Sequence, residues 1–178
     1  MHMLSLAPDV TLHTRVRNDE IDGDNPFDWK IVKTSELFED KKVLIIGLPG
    51  AFTPTCSNSQ LPGFESIYPD LLSHGIDEVY CTSVNDAFVM YQWKKQLGVE
   101  NIEMLPDGNG DFAKGMNMLV DKTNLGFGKR SWRYVALIEN CRIKYIWEED
   151  DFMDNCPTDP YDTTTPERVL NDLKQMEV

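Results

Sequence analysis

The feature that most constrains this chain is the run Lys42-Val43-Leu44-Ile45-Ile46-Gly47-Leu48, which ends at Pro49-Gly50. A short continuous apolar stretch rich in β-branched residues suits a strand buried on both faces, and such strands belong to parallel sheets covered by helices. Val79–Val84 is a second run of this kind. Between them, residues 55–74 carry a helical pattern, broken at Pro62-Gly63 and stopped by Gly75. After Val84, Asn85 or Asp86 can cap an amphipathic helix through Leu97, with Gly98 as its stop. Strand, helix, strand, helix is a βαβ unit with a right-handed crossover.

The flanking segments complete the outline. Residues 10–16 and 27–33 read as extended, and Thr34-Ser35 as the cap of a short helical turn. Asp107-Gly108-Asn109-Gly110 is a turn before a short helix around Phe112–Met116. Arg133–Ile138 and Arg142–Trp147 flank Glu139-Asn140-Cys141 as a β-hairpin. The last helix starts near Thr163. Its cap is Thr164 with Glu167 in a capping box, or Thr165 with Pro166 at the first helical position. Together these elements resemble a thioredoxin-like α/β fold, a central mixed β-sheet flanked by helices. With no repeat, low-complexity tract or linker, residues 1–178 are expected to form one domain.

Composition narrows the function classes. A net charge of −13 argues against nucleic acid and acidic membranes as partners. No apolar run reaches the length of a membrane span, and the start Met1–Asp9 lacks the cationic region of a secretory signal. Cys56, Cys81, Cys141 and Cys156 stand 25, 60 and 15 residues apart. That spacing, with His2, His13 and His74, supplies neither a metal site nor a disulfide scaffold. Separate thiols in a reducing compartment, the cytoplasm, and no metal or cofactor are the expectation. Several motifs fail on inspection. Gly47–Gly50 lacks the Lys-Ser/Thr of a phosphate loop. Asp107-x-Asn109-x-Asp111 has Phe112 and Met118 where a calcium loop needs Gly and Glu. A cysteine peptidase needs a histidine base, and His74 sits at a helix end. Glu148–Asp154 reads as a solvated face.

The chemistry concentrates in Pro49-Gly50-Ala51-Phe52-Thr53-Pro54-Thr55-Cys56. This segment leaves a buried strand and delivers a thiol near a helix start, where unpaired N–H groups and the helix dipole stabilise thiolate. The pattern Pro-x-x-x-Thr-x-x-Cys, within GLPGAFTPTCSNSQLPGFE, resembles the active-site motif of peroxiredoxins of the type II (glutaredoxin-dependent or atypical) subgroup. The likeness continues through YCTSVNDAFVMYQWKK, LPDGNGDFAKGMNMLVDK and LGFGKRSWRY.

The resemblance implies a thiol peroxidase of antioxidant defence and redox homeostasis, acting on hydrogen peroxide and small organic hydroperoxides. Cys56 would be the peroxidatic cysteine, passing from thiolate to sulfenic acid. Thr53 would hydrogen-bond sulfur and peroxide, Pro49 would shield the pocket from water, and Arg133 would polarise the peroxide. Displacement at an O–O bond independently calls for a nucleophilic sulfur with donors aimed at the developing charge. For the resolving step, Cys156 lies near the position of the atypical resolving cysteine but among acidic residues. Cys81 lies on a strand that reads as buried. A one-cysteine cycle reduced by glutathione and glutaredoxin is the leading expectation, and an intramolecular disulfide reduced by thioredoxin is the alternative. Cys141 is expected to be incidental.

The resemblance also implies a homodimer, for which Phe52, Phe88 and Trp93 are the candidate contributors, and a glutaredoxin acting in trans. Two other readings use the same thiol. One is a thioredoxin-like disulfide exchanger, disfavoured because Thr53 stands where its second cysteine belongs. The other is a redox-sensing or chaperone-like protein switched by Cys56 oxidation.

Overall fold

The computed structural model describes residues 6–176, so Met1–Ser5, with His2, lie outside the described residues. Its elements, numbered in chain order, begin with β1 (Thr11–Arg17), β2 (Phe27–Lys33), α1 (Thr34–Phe38) and β3 (Lys42–Gly47). After a π-helical turn at Cys56–Gln60 come α2 (Leu61–Ser66), α3 (Tyr68–Ser73), β4 (Glu78–Ser83), α4 (Ala87–Leu97) and β5 (Glu103–Pro106). The rest are α5 (Asp111–Gly115), β6 (Leu119–Asp121), β7 (Lys129–Ser131), β8 (Tyr134–Glu139), β9 (Arg142–Glu148) and α6 (Pro166–Met176), with a 3-10 turn at Thr123–Leu125.

Five strands form the central sheet in the order β5-β4-β3-β8-β9. β3 pairs in parallel with β4 and antiparallel with β8, so the sheet is mixed, as the thioredoxin-like reading requires. Alternation along the strands divides the apolar residues between two faces. Leu44, Ile46, Val135 and Leu137 join a cluster with Leu61, Phe64, Leu71, Met90, Trp93, Val169 and Leu173, so α2, α3, α4 and α6 cover that face. Val43, Ile45, Tyr134, Ala136 and Ile138 face the other way, onto Phe38, Phe112, Leu12, Val32 and Trp132. β1 and β2 form a separate antiparallel ribbon, and β6 and β7 another.

Local chemistry explains most boundaries. Asp86 caps α4 by accepting the Val89 N–H at 2.9 Å, and Gly98 ends it at φ 66, a conformation open to glycine. The β8–β9 turn is Asn140-Cys141, with φ 46 and 65, the two positive values of a tight two-residue hairpin loop. Of the two caps expected for α6, Thr165 is used: its hydroxyl accepts the Arg168 N–H at 3.3 Å and Pro166 opens the helix. Thr164 is drawn elsewhere.

Two expectations about helices are corrected. The helix does not break at Pro62-Gly63. A π turn precedes Pro62, closing with the Leu61 N–H on the Cys56 carbonyl, and the wider winding accommodates a residue with no N–H to give. The interruption falls at Ile67 instead, between α2 and α3. Nor does Thr34 cap α1; its hydroxyl donates to the Pro8 carbonyl at 2.6 Å and accepts the Val10 N–H, pinning the segment before β1.

Candidate active site

The site begins where β3 ends. The Leu48 N–H reaches the Thr82 carbonyl at 3.2 Å, and the chain then turns through Pro49, Gly50 and Ala51, all buried. Asn85 fastens this turn, its side-chain oxygen accepting the Ala51 N–H at 3.0 Å and the Ser83 hydroxyl at 2.6 Å. Phe52 adopts φ 66, a strained conformation for a bulky residue and of the kind that clusters at functional sites. The Thr53 hydroxyl donates to the Gly50 carbonyl at 2.7 Å. Its proton is thereby committed while its oxygen keeps lone pairs to accept another. The Thr53 carbonyl takes the Ser57 N–H at 3.0 Å, starting the helix. Cys56 and Gln60, at the two ends of the π turn, are both fully buried.

Arg133 lies between β7 and β8, and the pairing of Gly47 with Tyr134 brings it beside the end of β3. Its guanidinium is 2% exposed and makes four polar contacts. Nη1 lies 3.3 Å from the Cys56 sulfur and also donates to Gln60 Oε1. Nη2 pairs with the Asp159 carboxylate at 2.6 Å, and Nε donates to the Pro160 carbonyl at 3.1 Å. The Tyr161 ring lies 5.4 Å from its central carbon. Burial works against the charge of Arg133, but the Cys56 sulfur and the Asp159 carboxylate outweigh it and hold the group above its ordinary value. The Tyr161 phenol is pushed up to about 12, first by burial and then by the charge of Glu167.

A second guanidinium stands nearby. Arg130 Nη1 donates to the Pro49 carbonyl at 3.2 Å, and a Cβ on Gly50 would sit 2.5 Å from that nitrogen, so only glycine allows this approach. Burial lowers Arg130, and the Cys56 sulfur opposes the shift, which places this cation within the field of the thiol. Arg133 thus comes from a distant stretch to meet Cys56, which stands on the same segment as Thr53 and the Pro49 turn.

The acidic segment after β9 departs from the expected solvated face. Glu149 is 2% exposed, and its two oxygens accept the N–H groups of Asp162, Thr163 and Thr164 at 2.8–3.0 Å. The Thr164 hydroxyl donates to the same carboxylate and accepts from Gln60 Nε2, both at 3.3 Å. A polar chain therefore runs from Cys56 through Arg133, Gln60 and Thr164 to Glu149. Asp150 and Asp151 remain exposed as expected. Sequence reasoning missed Gln60, Arg130, Glu149, Asp159 and Tyr161. Gln60 follows Cys56 by one helical turn, and Arg130 belongs to the same basic run as Arg133, so both had a local signal. The acidic loop had none.

The remaining thiols are placed differently. Cys81 is fully buried on β4 in the same apolar cluster as Cys56, and burial first, then the Cys56 sulfur, pushes its thiol well above the ordinary value. Cys156 is buried in the cluster on the opposite sheet face, 3.6 Å from the Thr158 hydroxyl. Cys141 lies on the hairpin turn, its thiol raised first by burial. His74 ends α3. Trp93, considered above for an interface, is buried in the core and donates to the Ser57 hydroxyl at 2.9 Å, whereas Phe52 and Phe88 are each 47% exposed.

Among the described residues, no helix is long and apolar enough to cross a membrane. The Redoxin family model matches residues 6–158. A peroxiredoxin of Rhizobium etli is 51% identical over 174 residues, spanning 98% of this chain and 97% of its own. Among solved structures, the Plasmodium falciparum antioxidant protein, a 1-Cys peroxiredoxin, superposes with a TM-score of 0.89 at 42% identity, covering 96% of this chain and 98% of its own. Reduced Prx3 of Vibrio vulnificus, solved in complex with hydrogen peroxide, gives 0.82 at 31% identity over 99% and 98% of the two chains. These matches run through the strand-end turn, the thiol helix and the segment that carries Arg133 alike, and the chain accordingly belongs to the peroxiredoxin family, the thiol peroxidases of antioxidant defence.

Proposed function

We propose that Cys56 is the peroxidatic nucleophile, acting on hydrogen peroxide and small organic hydroperoxides. The observation that carries this is the 3.3 Å contact between a buried guanidinium nitrogen of Arg133 and a fully buried Cys56 sulfur. The reaction needs a nucleophilic sulfur with a donor beside it to stabilise the charge that moves during attack, and this contact supplies that donor. The thiolate attacks one peroxide oxygen in line with the O–O bond. The S–O bond forms, the O–O bond breaks with its electron pair on the departing oxygen, and a proton completes water or an alcohol. Sulfur is oxidised to sulfenic acid. Arg133 stabilises the charge spreading over sulfur and oxygens in a site with little water. Thr53, its own proton held by Gly50, accepts the hydroperoxide O–H and aims the peroxide. Pro49 excludes water from the turn. The complex of the Vibrio vulnificus relative with hydrogen peroxide agrees with this substrate class.

For the reducing half we favour a one-cysteine cycle, with glutathione and glutaredoxin returning Cys56 to the thiol. Its support is the burial of Cys156 on the opposite sheet face and of Cys81 inside β4. The 1-Cys description of the Plasmodium falciparum relative is consistent with it. A disulfide to Cys81 with thioredoxin as reductant is the second reading, favoured only by the shared apolar cluster. The chain acts as one domain in the cytoplasm and as a homodimer, to which the exposed Phe52 and Phe88 offer apolar surface. The test is Cys56→Ser: peroxide consumption should vanish with every thiol reductant, and full activity in this variant would overturn the assignment.

A further inference from the structure

We propose that Asp159 is a positioning residue for the peroxidase reaction, fixing the guanidinium of Arg133 so that Nη1 meets the Cys56 sulfur. The inference rests on Arg133 as the group that polarises the peroxide. An arginine side chain is long and rotamer-rich, so a buried guanidinium takes a unique orientation only if its N–H groups find fixed acceptors. On the edge facing away from Cys56, those acceptors come from consecutive residues: Asp159 on Nη2 at 2.6 Å and the Pro160 carbonyl on Nε at 3.1 Å, with the Tyr161 ring alongside at 5.4 Å. Two acceptors on one edge define the guanidinium plane, as a bidentate carboxylate does, and the opposite nitrogen is then directed at the sulfur and Gln60.

The acceptors are themselves held. Glu149 collects the N–H groups of the next three residues, Asp162, Thr163 and Thr164, which ties the loop to the end of β9. Asp159 is half exposed, its side chain 49% accessible, so it is not part of the packed core. An ion pair at a surface adds little stability of its own, whereas displacement of a reacting group by about 1 Å costs on the order of 10²-fold in rate. The value of this pair therefore lies in orientation.

The test is the second-order rate of Cys56 oxidation by hydrogen peroxide, read by rapid quench, alkylation and intact mass. Asp159→Ala should slow oxidation by about 10- to 10²-fold, and Asp159→Asn, which keeps a side-chain oxygen to accept from Nη2, should recover most of the rate. In an Arg133→Gln background, already slow, Asp159→Ala should have no further effect. Equal losses from Asp159→Ala in both backgrounds would mark a merely structural residue and overturn the proposal. So would a wild-type rate in Asp159→Ala beside a slow Arg133→Gln. A wild-type rate in Arg133→Gln would instead sink the role of Arg133, and this inference with it. Should Asp159→Ala fail to fold, Asp159→Ser, too short to reach Nη2, is read by the same criteria.

Discussion

At the scale of single residues, the site works by committing each polar atom to one task. Thr53 lends its proton to Gly50 and keeps lone pairs to accept another, while Arg133 spends its far edge on Asp159 and Pro160 and turns the near edge to sulfur. Thr53→Val removes the hydroxyl at nearly constant volume. It should lower the second-order rate of Cys56 oxidation by about 10²-fold, the size of effect seen when one oriented polar group is lost from a reacting site. Thr53→Ser should retain most of the rate. Rapid-quench kinetics check both, and equal rates for valine and serine would remove Thr53 from the chemistry. Cys56, Thr53, Pro49 and Arg133 could be singled out because each stands in a segment whose residue types match a known chemistry, and the structure brings Cys56 and Arg133 into contact. Asp159 and Pro160 were not. What they do depends on an arginine that approaches from a distant part of the chain, between β7 and β8, and no local pattern carries that information.

At the scale of elements, two carboxylates act as staples. Glu149 closes the 159–164 loop over the site, so Glu149→Gln would set an amide NH2 against backbone N–H donors. The expected cost is about 2 kcal/mol of unfolding free energy, measurable by urea denaturation, with slower Cys56 oxidation as the loop loosens. Unchanged stability would contradict the role given to this residue. Glu65 staples the end of α2 to the turn before β5, accepting the N–H groups of Glu100, Asn101 and Ile102 and the Asn101 amide. Burial alone would raise its pKa, but the bonds from Asn101, Glu100 and Ile102 together hold it below the ordinary 4.5. A depressed acid contributes stability that is present above its unfolded value and lost as pH falls through the folded one. Glu65→Gln should therefore be less stable than wild type at neutral pH, with the difference narrowing below about pH 4.5. Denaturant titrations at several pH values test the sign.

The same scale shows why parts of the fold were readable. β3 and β4 have continuous apolar runs and α4 a matching cap and stop, and local preference agrees with the final structure there. β5, β6 and β7 escaped notice because four or three residues hold too little pattern to separate a strand from a loop. Pro62-Gly63 misled because a proline usually ends a helix, and the π turn that makes room for it has no simple sequence signal.

At the scale of the whole molecule, the central sheet separates the thiols. Cys56 and Cys81 lie in one apolar cluster and Cys156 in the other. Cys156→Ser and Cys81→Ser should each keep the rate of Cys56 oxidation and turnover with glutathione and glutaredoxin; loss of turnover in either variant would assign a resolving role to that thiol. The measurement that bears most directly on the account is a thiol map. The reduced protein receives one equivalent of hydrogen peroxide, is quenched with an alkylating agent, and is read by intact mass and peptide mapping. The account predicts that Cys56 alone is lost, as sulfenic acid or its adduct, while Cys81, Cys141 and Cys156 remain thiols. Survival of Cys56 with peroxide still present would contradict it.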